Sequence, residues 1–256
     1  MRSLSVLLAQ VLPVPGDPGR NLDAAVRLVR DGPPADLAVF PELAVPGYAL
    51  DAASRLAVAP DDPCFAALRR ACADRRTAVV IGFAESGADR PYDALLCLDE
   101  AGATAGVYRK THLFGAERDA FAAGDRLGCV VLAGARVGPL VCFDLEFPEV
   151  ARTLASEAPD LLVCSAAMSP ADGEHRVAAR ARALDTRTPL VYVNRVGDEG
   201  GYRFVGESRV VAADGSVVAE LGAEPATAVV RVPLRTTPDP DVDYRHHLRP
   251  ELYRYR

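Results

Sequence analysis

No apolar run in this chain of 256 residues reaches the ~18 residues that a membrane-spanning helix needs, so no span is expected. The stretch Leu4-Ser-Val-Leu-Leu-Ala9 is too short and too weakly charged for a secretory signal. It reads as a first strand, and a cytoplasmic protein is expected. No basic stripe accompanies the formal net charge of −6, which makes nucleic acid a poor partner. The six cysteines contain no Cys-x-x-Cys, and the four histidines join no cluster of zinc spacing. Neither a disulfide framework nor a metal centre is therefore expected. Cys64, Cys72, Cys97, Cys129 and Cys164 lie among apolar neighbours and read as small buried hydrophobes. Internal repeats and low-complexity segments are also missing.

Half of the residues are hydrophobic, enough for a large core in one α/β domain or two small ones. Apolar runs that read as strands recur along the chain, among them 5–9, 37–40, 78–84, 94–98, 103–108, 137–141, 161–165, 190–194, 208–212, 217–220 and 226–232. Several are continuous rather than alternating, as in sheets covered on both faces. Helical periodicity appears over 21–30, 63–76, 148–157 and 174–186, the last rich in Ala and Arg and expected to be amphipathic. Gly102 and Asp214-Gly215 mark hairpin turns. This order predicts a sheet-rich α/β layer structure in a single domain spanning 1–256. The Pro-, Asp- and Arg-rich tail, 236–256, reads as an irregular arm, either packed on a partner subunit or frayed.

Three chemical residues end apolar runs. Glu42 closes Leu37-Ala-Val-Phe-Pro-Glu42, Lys110 closes Ala105-Gly-Val-Tyr-Arg-Lys110, and Cys142 closes a run from Gly138 before a charged turn and a helix start. A carboxylate at the lip of a sheet stands where α/β folds place substrate pockets. The turn Pro46-Gly47-Tyr48 helps to fix it. A thiol with an ordinary pKa near ~8.5 needs a base to take its proton or a cation to hold its charge. An ammonium among Tyr108, His112, Leu113 and Phe114 can supply the second and can stabilise an oxyanion. No histidine has a context that demands the base role, and His112 reads as a structural hydrogen-bonder. Asp144 and Glu149 read as acids bonding backbone N–H groups at the turn or the helix start. Glu117, in a Gly-Ala-Glu-Arg-Asp loop, either reaches the site, pairs with Arg118 or pairs with nothing.

Together the segments Val39-Phe-Pro-Glu-Leu43, Tyr108-Arg-Lys-Thr-His-Leu-Phe114 and Leu140-Val-Cys-Phe-Asp-Leu-Glu-Phe-Pro-Glu149 resemble the glutamate, lysine and cysteine motifs of the nitrilase (carbon–nitrogen hydrolase) superfamily. Their order agrees, at separations of 68 and 32 residues. Val193-Asn-Arg-Val-Gly197 and Gly206-Glu-Ser208 extend the resemblance over nearly the whole chain. It implies a four-layer αββα sandwich, a homodimer or higher homo-oligomer, and no metal or organic cofactor. It further implies Cys142 as nucleophile, Glu42 as general base, Lys110 as holder of the tetrahedral intermediate and Glu117 as a second glutamate. The backbone N–H of Phe143 would complete the oxyanion site, and Glu146 and Tyr48 would stand at the substrate.

Many related ω-amidase-like chains carry Arg where this one has Glu146. An Arg there suits an anionic substrate, and Glu146 does not. A small primary aliphatic amide, neutral or bearing a distal ammonium, is the expected substrate. The alternative is that Glu146 pairs with Arg152 or another arginine and never meets substrate. Two rival functions remain open: hydrolysis of N-carbamoyl amines, and a catalytically silent binding or assembly subunit. Nitrile hydrolysis is disfavoured by the length of the chain and by the lack of a tryptophan after Cys142.

Overall fold

The computed structural model describes residues 2–169, 173–236, 241 and 243–253. Two six-stranded sheets and one hairpin carry the chain. The strands are β1 (Ser3–Gln10), β2 (Leu37–Val39), β3 (Ala78–Glu85), β4 (Tyr92–Leu98), β5 (Thr104–Arg109), β6 (Val130–Leu132), β7 (Ala135–Val141), β8 (Leu161–Ala166), β9 (Leu190–Asn194), β10 (Val196–Glu199), β11 (Tyr202–Val205), β12 (Arg209–Val211), β13 (Val217–Glu220) and β14 (Ala226–Pro233). The helices are α1 (Pro18–Asp31), α2 (Ala53–Leu56), α3 (Ala66–Arg75), α4 (Glu117–Ala120), α5 (Pro148–Ser156) and α6 (Glu174–Thr186). The first sheet runs β14-β1-β2-β3-β4-β5 and the second β13-β12-β9-β8-β7-β6, while β10 and β11 pair only with each other.

The continuous apolar strands explain the layering. All eight residues of β3 are buried, and their alternation divides them between two cores. Ala78 and Val80 pack against the second sheet with Val6, Leu8, Leu140 and Leu162. Val79, Ile81 and Phe83 face the other way, onto Leu22 and Val29 of α1 and Leu68 and Cys72 of α3. Helices α5 and α6 cover the outer face of the second sheet through Val150, Leu154, Ala179 and Ala183. The result is the expected α–β–β–α stack.

Several local expectations need correction. The helix expected over 63–76 begins as a 3-10 turn, Pro63–Phe65, because Pro63 opens it and Asp62 caps Cys64 N–H. That turn leaves Cys64 exposed and Cys129 is only half-buried, so neither is the buried hydrophobe expected of it; all six cysteines are free. The inward stripe of α6 includes His175, Arg182 and Thr186 beside its alanines, so its buried face is partly polar. The β10–β11 hairpin was not anticipated, since its charged residues break the apolar pattern. The described part of the tail, Tyr244–His247 and Pro250–Leu252, forms 3-10 turns. Arg187 donates to Tyr244 Oη at 2.9 Å and stacks on its ring, which brings the tail against α6 of its own chain. The rest of the arm lies outside the described residues.

Candidate active site

Glu42 follows β2 and Lys110 follows β5, both on the first sheet, whereas Cys142 follows β7 on the second. The two sheets therefore bring the acid, the amine and the thiol to one end of the space between them. Two of the strand ends turn through left-handed backbone at non-glycine residues: Leu43, just after Glu42, at φ 47°, and Cys142 itself at φ 45°. Such conformations are costly and are held by their surroundings. Gly82 of β3 shows how tightly. A Cβ there would lie 2.3 Å from Leu43 N and 2.4 Å from Pro41 O. Only glycine lets the Glu42 turn lie on the strand, where Gly82 N–H donates to Pro41 O at 3.1 Å and Val45 N–H to Gly82 O at 3.0 Å.

Lys110 Nζ is fully buried and donates to Glu42 Oε1 at 2.5 Å and Glu117 Oε2 at 2.7 Å, with Asp93 Oδ2 at 3.6 Å. Burial alone would strip the proton from this amine, but Glu42 and Glu117 outweigh it and hold the pKa well above the usual lysine range. The group is an ammonium. Glu42 Oε2 also accepts from Ala167 N–H at 2.6 Å, at the end of β8. Glu117 stands in the first turn of α4, accepts from Tyr48 Oη at 2.6 Å and from Phe114 N–H at 2.8 Å. It therefore reaches the site and does not pair with Arg118. Burial raises its pKa, and Lys110 pulls the other way. Oxygens of Glu42, Asp93 and Glu117 lie within 4.8 Å of one another, a grouping that suits a cation; the cation among them is the Lys110 ammonium.

Cys142 is 5% exposed and opens the 3-10 turn Cys142–Glu146. Burial first, and then the Glu42 charge, push its thiol up, against the pull of Lys110. The resting group is a thiol. The Phe143 N–H belongs to the first residues of that turn, whose amides have no partner within it. Phe143 also presents its ring to the pocket, edge-on to Phe114 and Phe147.

Asp144 joins the lysine and cysteine loops. Its carboxylate is fully buried and accepts from Tyr108 Oη at 2.8 Å, Thr111 Oγ1 at 2.7 Å, His112 N–H at 2.9 Å and Val141 N–H at 3.1 Å. His112 Nδ1 lies 3.0 Å from the same acid, and its ring stacks on Phe147 at 4.0 Å. His112 is thus the structural hydrogen-bonder expected of it.

Of these residues Glu117, Cys142 and Phe143 open into a cavity of about 130 Å³ whose walls also include Tyr48, Met168, Tyr202 and Glu146. Glu146 is half-buried, and no described arginine, Arg152 included, pairs with it. Burial and the neighbouring Glu174 push its pKa up. His175 lines the same cavity but is tied to Glu207 Oε2 at 2.9 Å, and burial lowers its pKa.

Sequence reasoning missed four contributors. Ala167 acts through its backbone and leaves no side-chain signal. Tyr202 sits on the unexpected hairpin, and Glu174 at the rim reads as an ordinary helix acid. Asp93 left a signal that was available: it is the one acid inside the otherwise apolar run 92–98.

The profile of the carbon-nitrogen hydrolase family matches residues 6–238. The chain is 35% identical to the (R)-stereoselective amidase of a Pseudomonas species, over 90% of this chain and 85% of that one. It is 36% identical to the "hydrolase in pqqF 5'region" of Pseudomonas protegens, over 90% and 82% respectively. Among solved structures, a cysteine-to-alanine mutant of the amidase from Nesterenkonia sp. AN1 in complex with butyramide superposes with a TM-score of 0.84. That match has 30% identity and covers 97% of this chain and 95% of the other.

Proposed function

The chain belongs to the carbon–nitrogen hydrolase (nitrilase) superfamily and is an amidase-type hydrolase, and from that premise we propose that it converts a small aliphatic primary amide into a carboxylic acid and ammonia through a thioester on Cys142. The observation that carries this reading is the buried Lys110 ammonium, bonded to Glu42 and to Glu117, with Glu117 and Cys142 both lining one small cavity.

The proposed steps follow from the site chemistry. A buried thiol is a weak nucleophile, so attack on the amide carbon requires its proton to leave at the same time. Glu42 takes that proton. The developing oxyanion falls between the remaining Lys110 N–H and the Phe143 N–H, donors already in place in a site without bulk water. Glu42 returns the proton to the departing nitrogen, and ammonia leaves. The same carboxylate then deprotonates a water that attacks the thioester carbon; the C–S bond breaks, Glu42 returns that proton to the Cys142 sulfur, and the carboxylic acid is released. One group serves as base and acid in turn because burial keeps its proton from exchanging with solvent between steps. Glu117, held by Tyr48, fixes the second N–H of Lys110 and leaves the third for substrate.

The small volume favours a short acyl group, and the butyramide and acrylamide complexes of the Nesterenkonia amidase support that class. Glu146, in the wall and without a partner among the described residues, adds tolerance for a distal ammonium and opposition to a distal carboxylate. Ammonia release from pentanamide, 5-aminopentanamide and the corresponding ω-carboxyamide tests both parts. Turnover of the first two is expected; preference for the carboxylated compound would remove the role of Glu146. Carbon dioxide appearing with ammonia from N-carbamoyl amines, and none from the amides, would replace the amide reading with a carbamoyl one. We further propose that the enzyme works as a homo-oligomer.

A further inference from the structure

Asp93 is an unusual member of the buried cluster. It lies in β4, opposite Ala84 of β3, and is fully buried. Among the described residues neither of its carboxylate oxygens accepts a hydrogen bond, and an oxygen of Glu42 lies within 4.8 Å. Its backbone carbonyl accepts from Lys110 N–H at 2.8 Å, which fixes the two residues side by side. Yet the carboxyl stays 3.6 Å from Nζ, while Glu42 and Glu117 take N–H bonds at 2.5 and 2.7 Å.

A buried charge without hydrogen bonds is expensive, and the expense is avoided when the group keeps its proton. The count of charges points the same way. Three ionised carboxylates around one ammonium would leave two uncompensated negative charges in a dry site. The groups facing Asp93 are Glu42 from the turn after β2, Lys110 at the end of β5 and Glu117 from α4; Cys142, from the opposite sheet, acts on Lys110 and Glu42. An ionised Asp93 would also compete for the third N–H of Lys110, the one needed at the oxyanion.

We propose that Asp93 is a positioning residue that works as a neutral carboxyl group, its hydrogen available to Glu42, so that it braces the Glu42–Lys110 pair without taking the remaining lysine hydrogen. Burial, followed by the Glu42 charge, raises its pKa in support. The role of that third hydrogen rests on the reading of Lys110 given above; the protonation state of Asp93 does not, and the tests separate the two.

The sign of the pH dependence is fixed by linkage. An unfolded chain releases the aspartate proton near pH ~3.9, and the folded chain retains it, so the folded form binds one more proton and loses stability as pH rises. Asp93→Asn removes this slope while keeping a donor for Glu42. Thermal melts of the full chain at pH 5 to 8 should therefore show the variant gaining on the wild type with rising pH. A difference between wild type and variant that stays constant over this range, as an aspartate ionised throughout and paired with Lys110 would give, overturns the proposal. Alkylation of Cys142 by iodoacetamide, followed by peptide mass spectrometry to exclude Cys64, reads the bracing role without any substrate. Asp93→Asn should stay within about threefold of wild type, and Asp93→Ala, if folded, should lose more than about tenfold. Equal rates in all three, or equal losses in both variants, overturn it. If Asp93→Asn does not fold, carbon-13 NMR of wild-type protein labelled at the aspartate carboxyl decides the matter. One aspartate signal at the protonated position at pH 7 supports the proposal, and full ionisation of all of them refutes it.

Discussion

The floor of the pocket and its mouth handle charge in opposite ways. On the floor, Glu42, Lys110 and Asp144 have no solvent exposure, and their polar atoms are bonded at 2.5 to 3.1 Å. At the mouth, Glu146 is half-buried and Glu174 exposed, and neither is paired with a described cation. The difference separates two tasks. A bonded, dry cluster has one resting geometry and returns to one resting charge state, which suits chemistry that must be repeated on every substrate. An unpaired acid beside water spends nothing on an internal partner and can receive one from substrate. On the proposed reading the floor decides whether a carbon–nitrogen bond is cut, and the mouth decides in which molecule.

Substitutions on the floor should have the largest effects. Cys142→Ala, Lys110→Ala and Glu42→Gln should each lower kcat by ~10³-fold or more with the fold intact, and should not add when combined, because the three act as a unit. Circular dichroism with ammonia assays checks this; near wild-type turnover in Glu42→Gln would refute its assignment as base. Gly82→Ala comes next and tests whether the floor depends on the backbone beneath it. The added methyl cannot coexist with Leu43 N at 2.3 Å, so a loss of about 2 kcal/mol in stability and a displaced Glu42 are expected. Denaturant midpoints and activity together read it, and an unchanged midpoint would mean that the turn yields freely. Glu146→Gln should have the smallest effect, a few-fold loss confined to ammonium-bearing amides, comparable to a single exposed charge pair of roughly 1 kcal/mol. Its pH dependence sharpens the contrast. The raised pKa of Glu146 means that its charge, and with it the preference for cationic substrates, fades on acidification above the ordinary glutamate value near ~4.3. Specificity ratios measured across pH would show the preference lost in Glu146→Gln at every pH.

The same division governs what could be read from the amino-acid order. The floor was legible because its residues sit where apolar strands end: Glu42 after 37–41, Lys110 after 105–109 and Cys142 after 138–141. Position along a strand is a local property, and the sheets do the rest. The resemblance then ordered the three into a mechanism. Glu117 was ambiguous because a loop acid finds its partner only in three dimensions; Tyr48, 69 residues away, decides it. Asp93 was not legible as a strand-end residue, because it lies inside β4. The β10–β11 hairpin was hidden by its own charges: Arg195 and Glu199 pair with each other in the interior, where the sequence suggested solvent. The layers followed from doubly buried strands such as β3, whereas the polar stripe of α6 did not, since His175 and Arg182 face inward for their bonds to Glu207 and Leu145 O.

Asp144 has one more consequence. Because its single carboxylate fastens both Thr111 and His112, just past the ammonium, and Val141, just before the sulfur, the two loops share a common mechanical reference. A shift of either loop pulls on the same carboxylate that holds the other, which ties the separation between cation and nucleophile to one group. One carboxylate thus sets the gap between the Lys110 and Cys142 loops.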